Sequence, residues 1–497
     1  MRAIFSRHLS SQPARHLPLA LFCSVAIGSW LCSPASPVQA QSVSPPEGFT
    51  ALFNGSDLSG WYGWGTRDPQ ELWDMTPEQQ AEYKRASIEG GLLNAEGKPD
   101  NQHINAHWDV ENGELINDGQ GLYLTTDKDY GDFELMLEYK ALPRGDSGVY
   151  LRGTPQVQIW DPAEPDPNGM GRALGSGALW NNRKGSPGKD PLKKMDKPLG
   201  EWNQMHITMI GELVSVVLNG ETVVDQAPLE NFFANQKEGY LAYGKPAEGQ
   251  AQADKPQLPN GYLRDPVYPK GPIQLQTHGS EIRWRNVFVR EIGYEEADQR
   301  LAARSSDGFV ELINGRDLSN WQGDVASYEV IDGAIVCRQG KSGSLLTPDE
   351  YTDFILRCEF KLPPAGNNGL ALRMPASGSP ASVGLELQVI DNDGYNAAHP
   401  KAPLLPYQYH GSLYNCVGAK HGYLRPVGQW NYQEVEVRGQ KIKVTLNGTK
   451  ILDVDIDQFD RSQIEHPPGG LDRRTGRIGF AGHNDPVAFR SLQVKRL

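Results

Sequence analysis

The chain reads as all-β, built as two tandem jelly-roll β-sandwich domains. Three observations lead there: an internal repeat, short runs of alternating hydrophobicity, and Asn-Gly, Asp-Gly and Pro-Gly punctuation between the runs. The repeat matters most, because it changes how every other motif is read. Gly48-Phe-Thr-Ala-Leu-Phe-Asn-Gly-Ser-Asp-Leu-Ser-Gly-Trp61 returns as Gly308-Phe-Val-Glu-Leu-Ile-Asn-Gly-Arg-Asp-Leu-Ser-Asn-Trp321. Tyr130-Gly-Asp-Phe133 returns as Tyr351-Thr-Asp-Phe354, Ser147-Gly-Val-Tyr-Leu-Arg152 as Asn368-Gly-Leu-Ala-Leu-Arg373, and Gly200-Glu-Trp-Asn203 as Gly428-Gln-Trp-Asn431. Leu218-Asn-Gly220 and Leu446-Asn-Gly448 predict type I′ hairpins, since Asn and Gly tolerate positive φ. Near each end, His278 with Trp284-Arg285 mirrors His483 with Phe489-Arg490.

These matches place a first domain at 46–293, a charged, helix-like linker at 294–306 and a second domain at 307–497, in keeping with a chain of 497 residues. Residues 1–40 stand apart. Arg2, Arg7 and Arg15 precede an apolar run from Leu17 to Leu31, and Val38-Gln-Ala40 offers the small residues of a cleavage site. This is the pattern of a secretory signal peptide, and Cys23 and Cys32 lack a lipobox; the expectation is export to the periplasm or medium, with no membrane insertion after cleavage. Removing the segment takes three arginines and no acid, so the net charge moves from −13 to −16. An acidic, unpatterned surface argues against nucleic acid as a partner. Only Cys337, Cys358 and Cys416 remain, all in the second copy, so disulfides do not hold the fold.

The copies differ by one large insertion, 62–105. Forty-six residues separate Trp61 from Trp108, against six between Trp321 and Tyr328. The extra piece carries Trp64, Trp73, a helical segment from Pro77 to Arg85, and His103. Its tryptophans favour an ordered lid or wall over a merely structural flap.

One strand stands out in both copies. In Gly384-Leu-Glu-Leu-Gln-Val-Ile-Asp391, Glu386 and Gln388 share one face while Leu385, Leu387 and Val389 share the other. Pro155-Gln-Val-Gln-Ile-Trp-Asp161 repeats this with Gln156, Gln158 and Asp161. Polar side chains in an apolar strand are either satisfied in a core or line a cleft.

As a set, Phe-Asn-Gly-x-Asp-Leu, Tyr-x-Asp-Phe, Ser/Asn-Gly-x-x-x-Arg, the Glu-x-Gln-x-x-Asp strand, Gly-Glu/Gln-Trp-Asn and Leu-Asn-Gly resemble the 3-keto-disaccharide hydrolase family, twice over nearly all of the mature chain. The resemblance implies a fold similar to concanavalin A-like lectins and glucanases, and cleavage of glycosidic bonds in sugars oxidised at C3. A C3 ketone acidifies the C2 proton, so one base suffices to remove it and expel the C1 substituent, after which water adds. Such a site needs a base, donors for the developing enolate and an acid for the leaving group, not the two carboxylates of an ordinary glycosidase.

Candidate catalytic residues are therefore Glu386, His410 and Asp391 in the second copy, and Asp161 and His278 in the first. Glu386 and Asp391 fall where laminarinase-like glucanases carry Glu-x-Asp-x-x-Glu, although Gln388 replaces the middle acid and Asp391 needs a bulge to reach the same face. Candidate substrate-binding residues are Arg152, Gln158, Trp180 and Gln276, then Arg373, Gln388, Tyr414 and His483. Arg152 and Arg373, too costly to bury unpaired, should meet Asp161 and Asp391 or sugar hydroxyls. Trp180 and Tyr414 could stack on a sugar ring. No cofactor motif is evident; a divalent cation stays open, since Asp391-Asn-Asp-Gly394 is only a fragment of a calcium loop. The expected partner is an oligosaccharide or glycoside. The rival readings are a sugar-binding tandem module without catalysis, or one catalytic and one binding copy.

Overall fold

Alternating side chains along short strands leave one apolar face per strand, and two such faces packed together make each half of the molecule. The computed structural model describes residues 44–237 and 263–497; residues 1–40, on which the expected signal peptide falls, with Cys23 and Cys32, lie outside them. Each copy pairs an eight-stranded with a five-stranded antiparallel sheet. In the first copy the smaller sheet runs Trp61–Trp64, Tyr123–Thr126, Gln274–Leu275, Asp146–Leu151, Thr154–Trp160. In the second it runs Gln322–Gly323, Ser342–Tyr351, Gly476–His483, Asn367–Met374, Leu385–Ile390. Between the sheets lie two separate apolar cores, one around Leu124, Val149, Val157 and Trp284, the other around Leu345, Leu370, Leu387 and Phe489.

The repeated motifs each hold a particular piece of this framework. Asn54 Oδ1 accepts from the backbone N–H of Ser56 and Asp57, and Asn314 Oδ1 does the same for Arg316 and Asp317. Asn219 and Asn447 adopt φ of 52° and 50°, followed by Gly220 and Gly448 at 86° and 81°, as the hairpins require. Trp61 and Trp321 are core residues. Trp202 and Trp430 instead lie half-buried under Arg285 and Arg490, whose guanidinium carbons sit 4.1 and 4.2 Å from the ring centroids.

Arg152 and Arg373 take neither role expected of them. Both end their strands at φ 53° and are almost wholly buried. Arg152 donates to Asp132 Oδ1 (2.8 Å) and to the carbonyls of Gly131, Gly211 and Tyr268, while Arg373 donates to Gln440 Oε1 and the carbonyls of Gly439 and Gly470. The Asp of Tyr-x-Asp-Phe caps the same hairpin: Asp132 accepts from Gly211 N–H at 2.9 Å, Asp353 from Gly439 N–H at 2.8 Å. Each arginine therefore staples the small sheet to a turn of the large one and has no link to Asp161 or Asp391.

The linker forms a helix, Tyr294–Ala303, and holds the copies together. Its Asp298 takes both guanidinium nitrogens of Arg425 at 2.7 Å, both residues buried. Lys420 pairs with Asp265 at 2.9 Å across the same boundary. The insertion is ordered. Thr76 and Gln79 form a capping box, with Pro77 in the first turn, opening the helix Pro77–Glu89. Ser87 then accepts the Gly63 N–H at 3.0 Å, docking the helix on the small sheet.

Candidate functional site

The strand singled out in the sequence runs along the edge of each small sheet, and its polar residues turn away from the core. Glu386 is almost fully buried there, and its Oε1 lies 3.0 Å from His483 Nε2. The exposures differ sharply: 2% for the Glu386 side chain, 42% for His483. A buried carboxylate thus orients a histidine whose ring reaches solvent. The same hydrogen bond raises the His483 pKa above its ordinary value. Gly369 on the facing strand leaves the room, because a Cβ there would collide with the Glu386 carboxylate. Gln388 shares this face, buried, with its amide oxygen unpartnered.

The first copy holds its histidine differently. Gln156 stands where Glu386 stands, and the carboxylate comes from Asp146, at the start of the neighbouring strand. His278 Nδ1 lies 3.4 Å from Asp146 Oδ2, which raises the His278 pKa. Asp146 is shared: Arg172 Nη2 approaches the same oxygen at 2.9 Å, and Gln158 Nε2 donates to the other at 3.0 Å. Gln156 donates in turn to Gln158. Gln276 donates weakly to Tyr123 Oη at 3.4 Å, and Thr66 of the insertion bridges the hydroxyls of Tyr123 and Tyr150 at 2.8 and 3.1 Å. The amide oxygens of Gln156, Gln274 and Gln276 are buried without a partner, a state that a polar ligand would relieve. Trp180 packs edge-on against Trp160, 5.6 Å between centroids, and Arg172 lies over Trp160 at 5.2 Å.

Other expected site residues lie elsewhere. His410 is in the core of the second copy, stacked on Phe360 and hydrogen-bonded through Nε2 to Gln433 Oε1 at 2.9 Å. Burial there pushes its pKa down to about 4, so it is a neutral packing residue and no acid or base for a bound sugar. Its segment adds a short strand beside Leu385–Ile390, with Gly411 N–H donating to Gln388 and Tyr414 N–H to Glu386, and this pairing turns the imidazole inward. Tyr414 remains partly exposed, 6.0 Å from Tyr407. Asp161 and Asp391 need no bulge, because they have left the strand. Asp161 accepts from the N–H of Arg144 and Ala163, and Asp391 from Ala365 and Gly394, so both tie down turns. Glu386, His410 and Arg373 therefore do not converge. Asp146 and Arg172 were not anticipated; Asp146 directly precedes the repeated Ser/Asn-Gly strand, but no spacing rule links it to His278.

Among the described residues no group of three or more His, Cys, Asp and Glu side chains is placed to hold a metal ion. Nor is any helix there long and apolar enough to cross a membrane.

A duplicated two-sheet sandwich, with a histidine–carboxylate pair in each copy, makes the chain a tandem β-sandwich protein. The chain belongs to the 3-keto-alpha-glucoside-1,2-lyase-like domain family, whose model matches residues 48–290 and again 308–495. This membership supports a carbohydrate-active role. No curated protein matches the chain significantly. Among solved structures, it is similar to two Parabacteroides distasonis proteins described provisionally as glycosyl hydrolases. One shares 25% identity over 39% of this chain and 95% of its own, with a TM-score of 0.35. The other shares 23% over 38% and 99%, with a TM-score of 0.34. A carbohydrate-binding module from Bacillus subtilis shares 15% over 35% and 95%, with a TM-score of 0.25. Family membership, not these partial likenesses, carries the functional reading.

Proposed function

We propose that this is an exported enzyme that cleaves glycosidic bonds of 3-keto-glycosides by elimination, and that the second copy performs the chemistry. His483 is the base. It removes the C2 proton acidified by the C3 ketone; the electron pair moves to C1–C2 as the C1–O bond breaks, and the departing oxygen takes a proton. The imidazolium just formed can supply it. Water then adds to the unsaturated keto sugar. Glu386 is a positioning residue: it fixes the ring and stabilises the imidazolium. Gln388 offers an amide for the polarised C3 oxygen. The chemistry requires no cofactor.

One observation carries this reading: an accessible histidine backed by a buried carboxylate, 3.0 Å away, on the polar side of the edge strand Leu385–Ile390. One base with an orienting acid suits elimination and not double displacement. A second reading gives the first copy a binding role, favoured by its buried, unpartnered glutamine oxygens and by an Asp146 already engaged by Arg172. The test is to incubate the protein with a 3-keto-disaccharide and with its unoxidised parent. Free sugar should appear only from the oxidised substrate. No release, alongside measurable sugar binding, would leave the protein a lectin-like module.

A further inference from the structure

Between the two copies runs a cleft of about 830 Å³, a size and position typical of ligand sites at domain boundaries. None of His278, His483, Glu386 and Asp146 lines it. We infer that it is a second carbohydrate site, for a neutral oligosaccharide, formed once per chain. The inference rests on the carbohydrate-active reading but not on the elimination chemistry.

Four parts of the chain build the walls: Trp73 from the insertion, Asp129 and Tyr268 from the first copy, Tyr294 from the linker helix, and Asp393 and His421 from the second copy. The aromatic side is held in place. Trp73 meets Tyr268 edge-on at 4.9 Å and 85°, and the Tyr268 hydroxyl donates to Asp68 Oδ1 at 2.6 Å. The opening is held too, by the Asp298–Arg425 and Asp265–Lys420 pairs and by Tyr423 Oη donating to the Pro266 carbonyl at 3.2 Å. A ligand would therefore meet a preformed surface and lose little affinity to ordering it.

The charges select the ligand class. Arg152 and Arg425 reach the cleft already engaged by Asp132 and Asp298, and Lys270, which also lines it, acts on the neighbouring Asp129, so the cations of the lining are matched by carboxylates. Asp129 is engaged by Trp73 and by the nearby Lys84 and Lys270, whereas Asp393 is exposed at the rim and would repel a phosphate or carboxylate. Aromatic faces beside carboxylates and peptide groups suit a molecule with apolar ring faces and many hydroxyls, which is a neutral sugar. A sugar site here would also account for the insertion, because Trp73 has no counterpart in the second copy, where six residues replace forty-six.

The experiment is calorimetric titration of cellohexaose and of maltohexaose into the mature His483→Ala chain, which removes the proposed base and leaves the cleft untouched. At least one should bind saturably, and Trp73→Ala should weaken it tenfold or more. Asp393→Ala, a change at an exposed side chain, should weaken it several-fold, and it decides the matter if the Trp73 variant folds poorly. No saturable binding of either oligosaccharide, or binding indifferent to both substitutions, overturns the inference. Oligosaccharide binding here, with no cleavage of a 3-keto-disaccharide by the unsubstituted chain, sinks the elimination reading alone; that cleavage without oligosaccharide binding here sinks the cleft alone.

Discussion

The two copies place a histidine at the same end of the same strand position, His278 and His483, yet recruit its carboxylate from different strands. The second copy uses Glu386 on the edge strand and has Asn367 where the first has Asp146; the first uses Asp146 and has Gln156 where the second has Glu386. The backbone position of the histidine is thus shared, while its carboxylate partner is exchanged between neighbouring strands. The exchange has a chemical consequence. Asp146 divides its oxygens among His278, Arg172 and Gln158, whereas Glu386 shows His483 as its side-chain partner among the described residues. A carboxylate claimed by an arginine supports an imidazolium less well, so the proposed proton abstraction is assigned to the second copy.

The largest effect should separate the copies outright. His483→Ala should lower kcat for a 3-keto-disaccharide by about 10²–10⁴-fold, the usual worth of a general base, while His278→Ala changes it little. The reverse result, read by sugar release, would move catalysis to the first copy.

The arginine staples come next. Arg152→Ala leaves Asp132 without its guanidinium and should cost about 3–5 kcal/mol in urea unfolding. Arg373→Ala should cost less, since Arg373 is held by an amide and carbonyls. Equal losses would deny the asymmetry.

Acid should also distinguish the copies. His410 has a folded pKa of about 4, below the ordinary value near 6.5. Its contribution is complete above pH 6.5 and is lost as pH falls towards 4, by about 3 kcal/mol in all. The matching residue of the first copy is Ser176, which does not titrate there. His410→Gln should therefore flatten the dependence of the second copy's unfolding midpoint on pH across that window.

The smallest effect is the most specific. Glu386→Gln should reduce turnover by about 10²-fold or less, as expected for a misaligned base. Because Glu386 holds the His483 pKa up, its loss should also move the rising limb of kcat/KM to lower pH. A rate loss with an unmoved limb would reduce Glu386 to a packing role.

How much of this was legible beforehand varies by residue. The Asn-Gly hairpins, the core tryptophans Trp61 and Trp321 and the helix at Pro77 follow from local rules, since turn chemistry and capping involve neighbours in the chain. The polar face of Glu386 and Gln388 follows from strand alternation. The partner of Arg152 did not follow, because Asp132 reaches it only through the packing of one sheet on the other. Likewise His410 and His483 look alike as isolated histidines. One is turned inward by an added strand, and the other stands at the solvent end of its sheet.

By itself the sequence determined the duplication, the sandwich, the turns and the face on which polar side chains would gather, all properties of short stretches and their repetition. Only the tertiary structure decided which histidine meets which carboxylate. Glu386 and His483 lie 97 residues apart and come together because the strand Asn367–Met374 pairs with both of theirs. That register is set by burying two apolar faces at once, a condition no single segment carries.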